Sequence, residues 1–340
     1  QGLYIQYLAG EADTITPYMC GQLFSNYSNM KEIVGLELLD VQTVKTYTEM
    51  FCNCEKLESL DLSSWNTASM QKIQRMFLNC NSLTNLDISS FNTSKVTTMA
   101  QMFGGTPLEV IDLSNFDTSK VTDIDHLFQN CGNLERVIID LNKFNLSNIN
   151  SFKRLFYGCH KLKYFNDPNL SERDIDFSSF DLSNTTELLQ MFSFCESIEE
   201  LDLSFLDVSN VTNMEGMFSY CTGLKRLDLS NFVVNNTTNT NTMFEKANNL
   251  ETLIIGDSFD YFNGTKMFNS AMKGVVTKKT GNDYITIGSN DIAPGSNLNL
   301  YVLDNELEEY YENDADFQTY FGTDGSRISM PLKISNNTIT

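Results

Sequence analysis

Aspartate side chains recur at regular intervals in this 340-residue sequence and offer the most obvious capacity for chemistry. The recurring residues are Asp61, Asp87, Asp112, Asp176, Asp202 and Asp228. A row of carboxylates could bind Ca²⁺ or a basic partner. Alternatively, each carboxylate accepts hydrogen bonds from neighbouring Ser, Asn or backbone groups and holds a turn. We favour this structural interpretation, because the aspartate belongs to a repeated pattern.

Cysteines form a second regular series, three residues after a recurring Phe. Its members are Cys54, Cys80, Cys131, Cys159, Cys195 and Cys221, whereas Cys20 and Cys52 lie outside it. Ala247 and Ala271 occupy the same position, which therefore requires a small side chain rather than a covalent bond. We expect buried free thiols. Disulfides between adjacent repeats, such as Cys54–Cys80, and a metal site are the alternatives.

No catalytic motif accompanies these residues. The sequence lacks G-x-S-x-G, H-E-x-x-H and phosphate-loop patterns, and His126 and His160 have no partner at a telling spacing. A glycosidase would need a deep cleft in which one carboxyl group has a raised pKa. We predict no enzymatic activity and no cofactor. Ca²⁺ is the one candidate ion, although no calcium-binding loop motif occurs.

An internal repeat positions the aspartates and cysteines. A Phe that follows Met or Leu recurs at Phe24, Phe51, Phe77, Phe103, Phe128, Phe156, Phe192, Phe218, Phe244 and Phe268. Most steps are 24 to 28 residues long, but the step from Phe156 to Phe192 is 36. We assign the additional residues to a loop insertion near 165–174.

Each repeat predicts one short strand and one short helix. The pattern L-x-x-L-D-L-S, as in Leu60–Ser63, alternates apolar and polar residues and indicates a strand with one buried face. The pattern V-x-x-M-x-x-M-F-x-x-C, as in Val211–Cys221, places apolar residues at helical spacing. Such a unit cannot bury its own apolar face, so the units must stack. We predict an α/β solenoid of the leucine-rich-repeat class, with a parallel sheet on one face and helices on the other.

The fuller pattern, M-F-x-x-C-x-x-L-x-x-L-D-L-S-x-F-N-T-S-x-V-T-x-M, resembles the BspA-type leucine-rich repeats of bacterial surface proteins, also called the DUF285 type. The resemblance covers roughly residues 20 to 270. It implies a curved, right-handed solenoid with its sheet on the concave face. It also implies a cell-surface or secreted location, a role in adhesion and no general catalytic activity.

The repeat divides the chain into two parts. Residues 1–274 are predicted to form a solenoid of about ten coils with an N-terminal cap at 1–17. Residues 275–340 are predicted to form a C-terminal capping segment. Within it, 275–290 indicates two strands around a Gly-Asn turn, and 299–322 indicates a strand followed by an acidic helix.

Ligand specificity should come from variable positions on the concave face, between the leucines that point inward. One column of such positions comprises Ser59, Asn85, Val110, Arg136, Glu200, Arg226 and Thr252. We predict that Asn85, Arg136, Glu200 and Arg226 contact a ligand, with the aspartate series beside them.

The charge of the chain limits its partners. The net charge is −21 and the pI about 4.4, so the surface repels nucleic acid and anionic membranes. The sequence contains no run of 18 apolar residues, so it predicts no membrane-spanning helix. We expect a monomer that binds an extracellular protein or glycan as an adhesin. The alternatives are a structural or antigenic stalk that displays other domains, and an acidic surface that assembles with Ca²⁺.

Overall fold

A computed structural model shows the chain as a stack of coils. It describes residues 16–167, 169, 175–177, 180–250, 252–256, 258–259, 276–280, 283–287, 299–303, 334–335 and 338–339. The N-terminal segment 1–15 and Phe268 therefore lie outside the described residues, as does most of the predicted insertion.

Thirteen short strands lie in the described part of the chain, and the parallel ones mark one side of the stack. They are β1 Ser59–Asp61, β2 Asn85–Asp87, β3 Val110–Asp112, β4 Arg136–Ile138, β5 Tyr164–Asn166, β6 Glu200–Asp202, β7 Arg226–Leu229, β8 Thr252–Gly256, β9 Val276–Thr280, β10 Asp283–Ile287, β11 Asn299–Leu303, β12 Ile334–Ser335 and β13 Thr338–Ile339. Strands β1 and β2 pair in parallel, as do β3–β4–β5 and β6–β7–β8–β11. The predicted parallel solenoid is confirmed.

The C-terminal strands extend this arrangement. Strands β9 and β10 pair antiparallel, with Asp283 opposite Thr280, and β12 pairs antiparallel with β13. Strand β11 continues the parallel sheet beside β8. The acidic helix predicted within 299–322 would begin after β11, outside the described residues.

The helix predicted in each repeat is wrong. In the described part of the chain the one helix is a single 3-10 turn, Leu36–Leu38. Alternate N–H groups of the predicted helical segment bond sideways to the next coil, for example from Tyr47 to the carbonyl oxygen of Lys72 at 2.8 Å. The groups between them close four-residue turns, as the N–H of Met50 does onto the carbonyl oxygen of Tyr47. The N–H groups that would bond within a helix therefore bond between stacked coils instead.

Left-handed backbone conformations make this pattern geometrically feasible. Each coil places two residues, four apart, at φ values between +53° and +74°. The pairs are Gln22/Asn26, Glu49/Asn53, Arg75/Asn79, Gln101/Gly105, His126/Asn130, Arg154/Gly158, Gln190/Phe194, Gly216/Tyr220 and Thr242/Lys246. We call the side of the stack formed by these pairs the turn face, and the exposed side of β1–β8 the strand face.

The core is a ladder of aromatic rings. Nine of the ten recurring Phe residues, from Phe24 to Phe244, lie in the described part, and successive rings stack at centroid distances of 5.4 to 5.9 Å. Phe156 and Phe192 stack at 5.7 Å despite their 36-residue separation. The additional residues of that repeat therefore do not interrupt the ladder. Apolar burial thus follows the predicted pattern even though the helix does not form.

Candidate functional site

The strand face aligns the predicted ligand positions in columns. Asn85 lies opposite Ser59, and Arg226 lies between Glu200 and Thr252. Arg136 lies between Val110 and Tyr164. In each strand the next residue points inward, and Leu60 and Leu227, for example, are buried. Because side chains alternate along a strand, the predicted residues point outward.

Most predicted aspartates hold turns at the ends of strands. In each case Oδ1 accepts the N–H of the serine two residues later at 2.9 to 3.0 Å, as at Asp61, Asp87, Asp112, Asp202 and Asp228. The serine hydroxyl at Ser63 also donates to Asp61 at 2.6 Å and lowers the pKa of that carboxyl group. Burial raises the pKa of Asp228 instead. These contacts favour the structural interpretation of the series.

Asp176 keeps the register of the predicted column, because a parallel bridge pairs Phe165 with Ile175, but it is buried rather than exposed on the strand face. Asp176 is only 5% exposed, and its backbone N–H donates to the carbonyl oxygen of Phe165 at 2.8 Å. The position opposite Ile138 belongs to Asn166 of β5. Sequence reasoning missed β5 because its segment, Lys163–Asp167, lacks the L-D-L-S pattern. The spacing C-x-x-L at Cys159–Leu162 was the signal that could have found it.

Strands β3 to β5 differ from the rest of the strand face. The guanidinium carbon of Arg136 lies 4.2 Å from the ring centroid of Tyr164, a cation–π contact. Val110 is 50% exposed beside it, and Ile138 takes the place of an aspartate. Val110, Arg136 and Tyr164 thus lie side by side, and Ile138 and Asn166 replace the aspartate that β3 keeps as Asp112.

A cleft of about 380 Å³ adjoins these strands. Its lining includes Ser114, Ile138, Asp140, Lys143 and Asp167. The Nζ atom of Lys143 lies 3.0 Å from Oδ2 of Asp140 and donates to the carbonyl oxygen of Ser114 at 3.3 Å. This amine lowers the pKa of Asp140. The cleft therefore joins an apolar wall to charged and polar groups.

The turn face carries a polar ladder that gives way to aromatic rings. The side-chain amide of Asn53 donates to Asn26 at 2.8 Å, and that of Asn79 donates to Asn53 at 2.9 Å. Phe194 and Tyr220 occupy the equivalent left-handed positions, and their rings stack at 4.4 Å. Bulky residues seldom adopt this conformation. Sequence reasoning missed the cluster, although both residues depart from the Asn that recurs two positions after the anchoring Phe.

The cysteine series forms a ladder of buried thiols, and all eight cysteines are free. Each Sγ of the series lies 3.0 to 3.2 Å from the carbonyl oxygen of a Phe in the preceding coil. The pairs are Cys54–Phe24, Cys80–Phe51, Cys131–Phe103, Cys159–Phe128, Cys195–Phe156 and Cys221–Phe192. The thiol is thus a hydrogen-bond donor as well as a small hydrophobe.

Burial of these thiols should make stability depend on alkaline pH. Burial raises the pKa of Cys221 from 9.0 to about 12. Between those values the unfolded thiol loses its proton while the folded thiol keeps it, so stability is present below pH 9 and falls as pH rises. We expect the stability advantage of the native chain over Cys221→Ala to shrink by about 1.4 kcal/mol per pH unit above 9. Urea unfolding of both proteins from pH 7 to 10.5 measures it, and a constant difference would contradict it.

Two further classes of site receive no support from the described residues. Among them, no three His, Cys, Asp or Glu side chains lie together in a group that could hold a metal ion. In the same part of the chain, no helix has the length and apolar character needed to cross a membrane.

Comparison with known proteins found one matching family and one similar solved structure. The model of a family described as "Mycoplasma protein of unknown function, DUF285" matches residues 18–133, 84–169 and 163–282. A crystal structure of a leucine-rich repeat protein from Bacteroides ovatus ATCC 8483 is 18% identical, with a TM-score of 0.42. The match covers 73% of this chain and 62% of that one, so the chain spans less than two thirds of that relative. No curated protein matches the chain.

Proposed function

The chain belongs to the DUF285 family, and from this premise we propose that it is a non-enzymatic, cell-surface or secreted module that binds an extracellular protein through its strand face. The observation that carries the proposal is the change of surface at β3 to β5. There, Arg136 packs on Tyr164 beside exposed Val110, with the cleft adjoining them. Arginine and tyrosine are enriched where protein interfaces concentrate their binding energy.

The aspartates of the strand face suit a scaffold better than a ligand site. At Asp61, Asp87 and Asp202, one carboxylate oxygen accepts both the backbone N–H and the hydroxyl of a serine. These local bonds satisfy part of each carboxylate and fix the turn after the strand. A stalk that displays other domains is therefore the second candidate function, and a glycan is the alternative ligand for the first.

Arginine variants test the recognition function directly. We expect Arg136→Ala combined with Arg226→Ala to weaken binding of a protein ligand at least tenfold, because both side chains lie on the strand face. The ligand is to be found by screening the purified chain against extracellular matrix proteins and a glycan array, with CaCl₂ or with EDTA. Biolayer interferometry then gives Kd for each variant.

A matched charge removal separates recognition from a general charge effect. Lys45→Ala combined with Lys120→Ala removes the same two charges from exposed residues outside the strands, and the Kd of this variant should stay within twofold of the native value. Unchanged binding in the double arginine variant would refute the strand-face assignment. No binding in any condition would favour the stalk, and binding that requires CaCl₂ would favour the acidic assembly surface.

A further inference from the structure

A buried carboxylate in the strand-face cleft carries one further inference. Asp167 is only 4% exposed, yet it lines the cleft. Its Oδ1 accepts the N–H of Asn169 at 2.8 Å. Among the described residues, no cation forms a salt bridge with Asp167. A carboxylate withdrawn from water in this way is costly unless a cation or further donors complete its surroundings.

The rest of the cleft defines what cation would fit. The Lys143–Asp140 pair, at 3.0 Å, already balances one carboxylate within the lining. Among the described residues that line the cleft, Asp167 therefore leaves a net charge of −1. Ile138 provides an apolar wall, along which the methylene stem of a long side chain can pack. The ammonium group of Lys143 would repel a divalent ion more strongly than a single positive charge.

We infer that this cleft receives a basic side chain, lysine or arginine, from the protein ligand, and that Asp167 pairs with its charge. The inference rests on the proposed function, since it names the group of the ligand that enters the site. The net charge of −21 is consistent with it, because an acidic chain attracts a basic partner over long range.

A small probe tests the cleft without the natural ligand. We use N-acetylarginine amide and, as its neutral isostere, N-acetylcitrulline amide, each titrated into the full isotope-labelled chain and followed by NMR. The arginine probe should shift the backbone signals of Ile138, Asp140 and Asn169, which surround the cleft. The citrulline probe should leave them in place.

Two aspartate variants separate the cleft from the general acidity of the surface. Asp167→Asn keeps the acceptor for Asn169 but removes the charge, and should weaken the arginine probe at least tenfold. Asp61→Asn removes an exposed strand-face carboxylate and should change Kd less than twofold. Should Asp167→Asn fail to fold, the shift map of the native chain still decides between the two probes.

Four results would overturn the inference. The first is equal binding of the arginine probe to the native chain and Asp167→Asn. The second is equal binding of the citrulline probe. The third is a shift caused by CaCl₂, and not by arginine, that disappears in Asp167→Asn. The fourth is a protein hit without arginine binding, which would refute this inference alone. Arginine binding without any protein hit in the screen would instead refute the proposed function alone.

Discussion

Replacing Phe218 by alanine should lower the free energy of unfolding by about 3–5 kcal/mol. The side chain is fully buried, and its ring stacks between Phe192 at 5.9 Å and Phe244 at 5.7 Å. Truncation leaves a void in the ladder. Backbone bonds between coils, such as the one from Phe218 to Met243 at 2.9 Å, hinder the collapse of that void. Urea unfolding followed by circular dichroism measures the loss.

An exposed apolar residue provides the control for this truncation. Val110→Ala removes two methyl groups from a half-exposed residue and should change stability by less than about 0.5 kcal/mol. If Phe218→Ala proved as mild as Val110→Ala, the stacked ladder described above would be incorrect.

Gly223→Ala should also destabilise the chain, by about 1–3 kcal/mol or more. A Cβ atom at this position would overlap the carbonyl oxygen of Glu196 in the adjacent coil, and it would lie 3.4 Å from the carbonyl oxygen of Ile198. Both neighbours are backbone atoms, which no side-chain rotation can move. The coil itself would have to shift, and thermal unfolding would show a lower Tm.

A second glycine distinguishes this clash from the ordinary effect of adding a methyl group. At Gly21 the nearest atom to an added Cβ is the carbonyl oxygen of Thr48, at 3.6 Å, which is normal contact. Gly21→Ala should therefore leave stability nearly unchanged. Equal effects of the two substitutions would mean that the coils around Gly223 are not packed as closely as described.

The sequence pattern allowed the strands to be predicted, but not the conformation between them. Alternation at Leu60–Ser63 has one strong interpretation, a strand with one buried face. The spacing of Val211, Met214 and Met217 fits a helix, but it also fits successive turns closed between residues three apart, which bury the same side chains. Hydrophobic periodicity does not reveal where backbone N–H groups bond. Contacts with the next coil decide that, and they connect residues too distant in sequence for a local pattern to show.

The candidate site was predictable where the repeat is regular. Arg136 lies on the strand face because its repeat keeps the usual spacing. Tyr164 and Asp167 were not predicted, because β5 and the residue after it lie in the repeat with additional residues. Asp176 keeps the register that the repeat predicts, but its burial could not be predicted from the repeat. A ligand site is expected where residues depart from the repeat. The repeat consensus gives the least information about those same residues.

The bonds between coils join residues about one repeat apart, as from Tyr47 to Lys72 and from Ile73 to Thr98. The entropy of closing such a loop is therefore similar at every step, and folding can begin at any coil and extend by accretion in both directions. One coil is also the segment that a duplication or deletion can add or remove while the neighbouring coils find equivalent partners. The stack is therefore modular, because its length can change by whole coils both during folding and over evolution.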